Sequence, residues 1–370
     1  MSMLFSPFAL RELTLPNRIV ISPMCQYSAV DGKAQAWHMI HLGHLALSGA
    51  GMLCLEATAV EAQGRITPGD LGLWNDATEA ALVPVLAAIR QHAPIPVVVQ
   101  LAHAGRKASS RAPWLGGQQI PESEGGWLGL APSAVPIKDG EVAPNALDQG
   151  GLDRIRDAFA ASALRAARLG VDGIELHAAH GYLLHEFLSP ISNHRSDAYG
   201  GSLENRMRFP LEVFDAVRAA FPDGKPVGVR VSATDWMDEG WNVAQTLVFA
   251  EALKARGVDW IDVSSGGISP KQQLVIGPSY QVPFAEQVKQ ATGLATMSVG
   301  LITEAKEAEA IVVDGKADLI AIGRAMIFDP RWPWHAAATL GAQVVAPRQY
   351  WRSPPRELGP LFGETVLGMR

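Results

Sequence analysis

Three side chains able to hold or move a proton fall within six residues in Glu175-Leu-His-Ala-Ala-His-Gly-Tyr182. His177 and His180 are suited to holding a carbonyl oxygen, and Tyr182 to delivering a proton to carbon. A second small cluster, Ser22-Pro-Met-Cys-Gln-Tyr27, brings a thiol and another phenol. A lone histidine after a strand is usually a satisfied structural residue; two with a tyrosine favour chemistry. Zinc is the competing use of the pair, but no third histidine or carboxylate stands at ligand spacing, so no metal is expected. Glu175 alternates with His177 along the preceding apolar run and serves as its neighbour. Whether the two clusters face one pocket depends on the elements that carry them.

Strand-like and helix-like runs alternate along the whole chain. Eight runs read as strands: 18–23, 51–57, 96–102, 172–177, 226–232, 259–264, 295–300 and 318–323. Their near-continuous apolar character suits parallel strands buried on both faces. Amphipathic stretches lie between them, such as 77–91, 153–169, 203–220, 244–256, 279–292 and 303–314. Ser202 and Thr303 are candidate caps, and Gly170 and Gly257 candidate helix ends. Eight such units predict an α/β fold, a (β/α)8 TIM barrel occupying residues 1–370 as a single domain. A doubly wound sheet is the alternative, but it calls for a Gly-rich turn after an early strand, and no GxGxxG occurs. The first 17 residues read as a β-hairpin plugging the barrel floor. Long connections at 105–150 and 178–202, after the third and fourth strands, would build a pocket on the active-site rim. A last helix follows Asp329-Pro330, and a tail begins at Ala346.

With 370 residues, 48% hydrophobic and 18% charged, the chain is core-forming. A net charge of −6 without a basic run argues against nucleic acid. No apolar stretch approaches ~18 residues and no signal-like N-terminus is present, so no membrane partner and a cytoplasmic location are expected. Two cysteines supply neither a disulfide framework nor an iron–sulfur cluster.

Under the barrel reading, nearly every strand brings a polar or small residue to one rim. Gly300-Leu-Ile-Thr303 and Ile322-Gly-Arg-Ala325 stand at the seventh and eighth strand ends, where barrels bind phosphate through backbone N–H groups, with Arg324 adding charge. Arg230, in an apolar run, needs an anionic partner, either a structural carboxylate or an anionic cofactor group. Gln100 offers a donor and an acceptor to the amide edge of a planar heterocycle. Lys107 is either near the cofactor or a loop charge.

Pro23-Met-Cys-Gln-Tyr27, His103-Ala-Gly-Arg-Lys107, the 175–182 segment, Tyr199-Gly-Gly-Ser-Leu-Glu-Asn-Arg206 and Ile322-Gly-Arg324 occur in this order over essentially the whole chain. Together they resemble the Old Yellow Enzyme family of FMN-dependent ene-reductases, and Cys25 with Tyr27 resembles its thermophilic-like, xenobiotic reductase branch. The resemblance implies tightly bound, non-covalent FMN, reduced by NADPH or NADH. Hydride then passes from flavin N5 to the β-carbon of an α,β-unsaturated carbonyl or nitro compound. It further implies flavin contacts at Ser22, Pro23, Met24, Cys25, Ala57, Gln100, Arg230, Gly300, Leu301, Gly323 and Arg324. His177, His180 and Tyr27 would contact the substrate oxygen, Tyr182 would protonate the α-carbon, and Cys25 would tune the flavin. The tail, 346–370, resembles a segment that places an arginine, here Arg352 beside Trp351, in a neighbouring subunit's site within a homodimer or homotetramer. Some eighteen residues follow that arginine, more than relatives tend to carry. The alternatives are a 2,4-dienoyl-CoA reductase, which two cysteines cannot equip, a flavin-free phosphate-binding aldolase or isomerase barrel, and a non-catalytic flavin binder.

Overall fold

In the computed structural model, residues 2–365 are described. An antiparallel hairpin, β1 (Phe8–Leu10) and β2 (Leu13–Leu15), opens the chain. Eight strands then close a parallel barrel: β3 (Ile19–Ile21), β4 (Met52–Ala59), β5 (Val97–Ala102), β8 (Gly173–Ala178), β9 (Val227–Ser232), β10 (Trp260–Ser264), β11 (Thr296–Ser298) and β12 (Leu319–Ile322), the last pairing with β3. All eight expected strands are present in the expected order. The short pair β6 (Leu130–Ala131) and β7 (Asn145–Ala146) lies in the long connection after β5.

Period-two alternation sends every second strand residue into the barrel. At the floor, Val20, Met52, Cys54, Val98, Trp260, Met297, Leu319 and Ala321 form a cluster with Leu10 and Leu15 of the hairpin. The hairpin is therefore the plug that the sequence suggested, and Cys54 is a core residue. A Cβ on Gly228 would lie 2.0 Å from the Trp260 ring, so glycine is what lets the indole cross the interior. One step up, the inward positions turn polar: Gln100, Glu175, Arg230 and Asp262. Above them stand His177 and the rim loops. A second, larger core lies between the barrel and its helices.

The helices are α1 (Ala36–Ala46), α2 (Asp76–His92), α3 (Gln149–Arg168), α4 (Leu183–Leu188), α5 (Leu203–Ala220), α6 (Val243–Lys254), α7 (Val282–Thr292), α8 (Ala305–Val313), α9 (Arg324–Phe328) and α10 (Trp332–Leu340). Ser202 caps α5 by accepting from the Asn205 N–H, and Gly170 and Gly257 take positive φ after α3 and α6. Thr303 does not cap α8: Glu304 holds that position, and the Thr303 carbonyl accepts from Trp332 Nε1. Three helices were not anticipated, among them the five-residue α9 after β12. α1 carries three histidines and leaves Trp37 and Ile40 exposed, which blurs its amphipathic pattern; α4 is a six-residue turn inside the connection after β8. No helix among the described residues is long and apolar enough to cross a membrane.

Candidate active site

The mouth is built on the loop after β8. His177, on the strand, accepts the Ala179 N–H at Nδ1 (3.3 Å), which leaves the proton on Nε2 as a donor. His180 takes φ +59°, and Gly181 follows at +73°. The turn is pinned from several sides. Ser232 Oγ accepts the His180 N–H, His185 Nδ1 accepts the Gly181 N–H, and Asp235 holds the far side of His185 at 2.9 Å. Across from it, a Cβ on Gly267 would sit 2.5 Å from the His180 Cα, so the glycine pair at the end of β10 permits this approach. Tyr182 occupies the N-cap of α4 without using its side chain as the cap, leaving the hydroxyl for other work.

The His177 ring lies 5.1 Å from that of His180 and 4.7 Å from that of Tyr182, edge-on to both. Burial holds both imidazoles well below their usual pKa, aided by Arg230, so they are neutral donors rather than cations. Burial pushes the Tyr182 phenol up, with Cys25 and Tyr27 among the neighbours that raise it further. The two sequence clusters therefore meet. Tyr27, at φ +51°, has Cys25 as a hydrogen-bond partner and packs against Trp114. The Cys25 thiol is pushed up by burial and by Asp70 and Glu56, and so stays protonated near neutrality. Tyr27, His180 and Leu301 are three of the eight non-glycine residues with positive φ among the described residues, which concentrates backbone strain at this rim.

Several partners were not singled out from sequence. Arg230 is answered by Asp262, Nε to Oδ2 at 3.0 Å, so the structural-carboxylate alternative is realised inside the barrel. Glu175 accepts from Gln100 Nε2 (2.8 Å) and Trp260 Nε1 (3.3 Å), and burial beside Asp262 raises its pKa. His180 Nε2 lies 2.6 Å from Ser264 Oγ, which donates on to Gln281. Gln100 and Glu175 are 75 positions apart, Glu175 and Trp260 85, and His180 and Ser264 84, so only barrel register joins them. The one available signal was parity, since Asp262 and Ser264 share the inward face of β10.

At the ends of β11 and β12 a cavity of about 620 Å³ is lined by Ser264, Gln281, Gly300, Leu301, Gly323 and Arg324. Gly300 takes φ +122°, and Gly323 sits beside Ser22 and Met24. Arg324 is exposed and makes no ion pair with a described residue. Open backbone, a free guanidinium and the Gln100 carbonyl, which accepts no hydrogen bond from a described residue, make a set suited to a phosphorylated planar heterocycle. No group of three metal-ligating side chains occurs among the described residues.

The tail departs from the opposite end. Val345, Ala346 and Pro347 line a groove with Pro16, Ala50 and Pro96, all at the barrel floor. Trp332 is buried in α10, while Trp334 packs against Tyr350 and Phe362 of the tail. Residues 366–370 of the expected 346–370 tail lie outside the described residues.

The chain is similar to known proteins over most of its length. Residues 3–343 match the NADH:flavin oxidoreductase / NADH oxidase family. NADPH dehydrogenase of Geobacillus thermodenitrificans is 42% identical over 353 residues, covering 95% of this chain and 98% of that protein. NADPH dehydrogenase of Bacillus subtilis is 42% identical over 351 residues, covering 94% and 98%. Among solved structures, morphinone reductase superposes with a TM-score of 0.77 at 29% identity, covering 93% of this chain and 91% of that one.

Proposed function

This chain belongs to the NADH:flavin oxidoreductase / NADH oxidase family, and from that premise we propose that it is an ene-reductase acting on α,β-unsaturated ketones, aldehydes, maleimides or nitroalkenes. It is an oxidoreductase that works with FMN and NAD(P)H. The observation that carries the finer reading is the triangle of His177, His180 and Tyr182 at the mouth, adjoining Cys25 and Tyr27 and the glycine-lined cavity.

FMN held at this mouth and reduced by NADPH or NADH would supply a hydride for the substrate's β-carbon. The phosphate end suits Gly300, Leu301, Gly323 and Arg324; Ser22, Pro23, Met24, Cys25, Ala57, Gln100 and Arg230 suit the ring. Arg230 enters as half of an ion pair with Asp262, so it contributes a hydrogen-bonding edge more than a bare charge. As charge builds on the substrate's carbonyl or nitro oxygen, the neutral Nε2–H of His177 donates to it. His180 joins by exchanging Ser264 for that oxygen, and Tyr27 adds a third contact. Tyr182 then protonates the α-carbon. A phenol is a weak acid in water, yet adequate for a carbanion-like carbon. The small molecule is the only partner this chemistry needs, although Arg352 from a second copy would complete the pocket in a homodimer or homotetramer.

Purified protein should be yellow or become so with added FMN. Mixed anaerobically with NADPH it should bleach, and cyclohexenone should restore the colour. Protein that never absorbs as a flavoprotein points to a flavin-free barrel, and bleached flavin that the enone leaves reduced points to a binder or to another acceptor.

A further inference from the structure

We propose that Lys107 is the positioning residue for proton delivery by Tyr182: its ammonium, tied to the backbone of His180 and lying over the Tyr182 ring, favours the phenolate left behind when the proton departs. The proposal rests on the ene-reductase reading. Lys107 Nζ donates to the His180 carbonyl at 2.5 Å and stands 5.3 Å from the centroid of the Tyr182 ring. One side chain thus holds the turn carrying a proposed oxygen-binding histidine and faces the proposed acid two residues on.

The chemistry of the step explains why a cation belongs there. The Tyr182 O–H bond breaks, and the enolate's electron pair forms the new C–H bond at the α-carbon. The O–H pair stays on the tyrosine oxygen as negative charge. A fixed cation interacts more strongly with that phenolate than with the phenol, so it lowers the barrier to transfer. Water returns the proton through the cleft of about 350 Å³ that Lys107 lines with Tyr27, Arg106 and Gln272.

Lys107 makes no close ion pair with a described residue and is held by the His180 carbonyl. Facing it are Glu186 of α4, whose Oε1 accepts the Arg106 N–H and whose Oε2 takes no hydrogen bond from a described residue, together with Arg106, His177 and His180. Burial pulls Lys107 down to about 8, with Glu186 opposing and Arg106 adding to the fall. Burial pushes Glu186 up to about 8 despite Arg106 and Lys107. The ammonium is therefore present below pH 8 and is lost above it.

FMN-loaded wild type, Lys107→Met and Lys107→Arg, each reduced with NADPH, are mixed with cyclohexenone or with ferricyanide, which takes electrons and needs no proton on carbon. In wild type the enone rate should fall as the pH rises through about 8. Lys107→Met should be slower at pH 7 by about tenfold, the scale of the change in acidity that an opposite charge brings, and should lose that pH limb. Lys107→Arg should recover the rate and carry the limb to higher pH, with ferricyanide oxidation alike in all three. In NMR of ε-13C-lysine-labelled protein, a lysine signal titrating near pH 8 should vanish in Lys107→Met. A methionine variant with the wild-type enone rate and pH limb overturns the proposal, as does an arginine variant no better than methionine, or ferricyanide oxidation slowed as much as the enone step. Wild-type flavin that cyclohexenone cannot reoxidise overturns the ene-reductase reading itself, and is recognised without any variant.

Discussion

In the proposed ene-reduction, Tyr182 and His177 divide the work at the mouth by their ionisation. In the proposed reaction the neutral histidine would donate without giving up its proton, and the phenol's proton would be the one that leaves. Replacing Tyr182 with phenylalanine keeps the ring that packs edge-on against His177 and removes only the acid. Stopped-flow measurement should show flavin reoxidation by cyclohexenone slowed by about 10²–10⁴-fold, the usual worth of a positioned general acid. Reduction by NADPH should change much less, because it needs no proton from Tyr182; equal slowing of both steps would contradict the assignment. Cys25, by contrast, is held as a thiol by burial beside Asp70 and Glu56, which suits a tuning contact rather than a nucleophile.

At the scale of elements, the barrel works because its inner face changes character with height. Three-residue strands such as β3 and β11 contribute one or two inward side chains each, so the floor depends on the hairpin to complete it. Leu15 is fully buried there. Leu15→Ala should cost about 2–5 kcal/mol, the range for a buried leucine that leaves a cavity, as measured by urea unfolding of the FMN-loaded protein. The mouth is separated from this plug by the Gln100, Glu175, Arg230 and Asp262 layer, so kcat with cyclohexenone should stay within about twofold, as for distant, independent sites. Paired loss of stability and kcat would mean that the floor and mouth are mechanically linked. The eight strands were legible in sequence because parallel strands buried on both faces are continuous apolar runs. α1, α4 and α9 were not: the first leaves large apolar side chains in solvent, and the other two are too short to show a period.

For the whole molecule, the tail raises the question of assembly. From Pro347 the chain turns through a short helical turn, Arg348–Tyr350, and Trp351 Nε1 donates back to the Ala346 carbonyl at 3.1 Å, which keeps this part of the tail beside the barrel floor. Arg352 follows directly, so a role for it in substrate binding would fall in the site of another copy of the chain. We expect Arg352→Ala, or removal of residues 351–370, to raise KM for enones several-fold, about the loss of one charge-assisted hydrogen bond. Unchanged kinetics in both would dismiss the contact. The point substitution separates this effect from lost packing, because Leu361 and Phe362 of the tail bury against α10 and its neighbours.

The sequence by itself determined the family-level chemistry: the histidine pair and tyrosine after one strand, the cysteine–tyrosine turn after another, and glycines at the last two strand ends. Each of these lies within a few residues along the chain, where spacing and residue type carry the information. Tertiary structure alone decided what those groups touch. Asp262 neutralises Arg230, Ser264 engages His180, Asp235 steadies the turn through His185, and Lys107 comes to lie over Tyr182. Every one of those contacts joins residues on different strands or loops, brought together by barrel register and closure. Short-range pattern has no access to that, because closure is a property of eight strands at once.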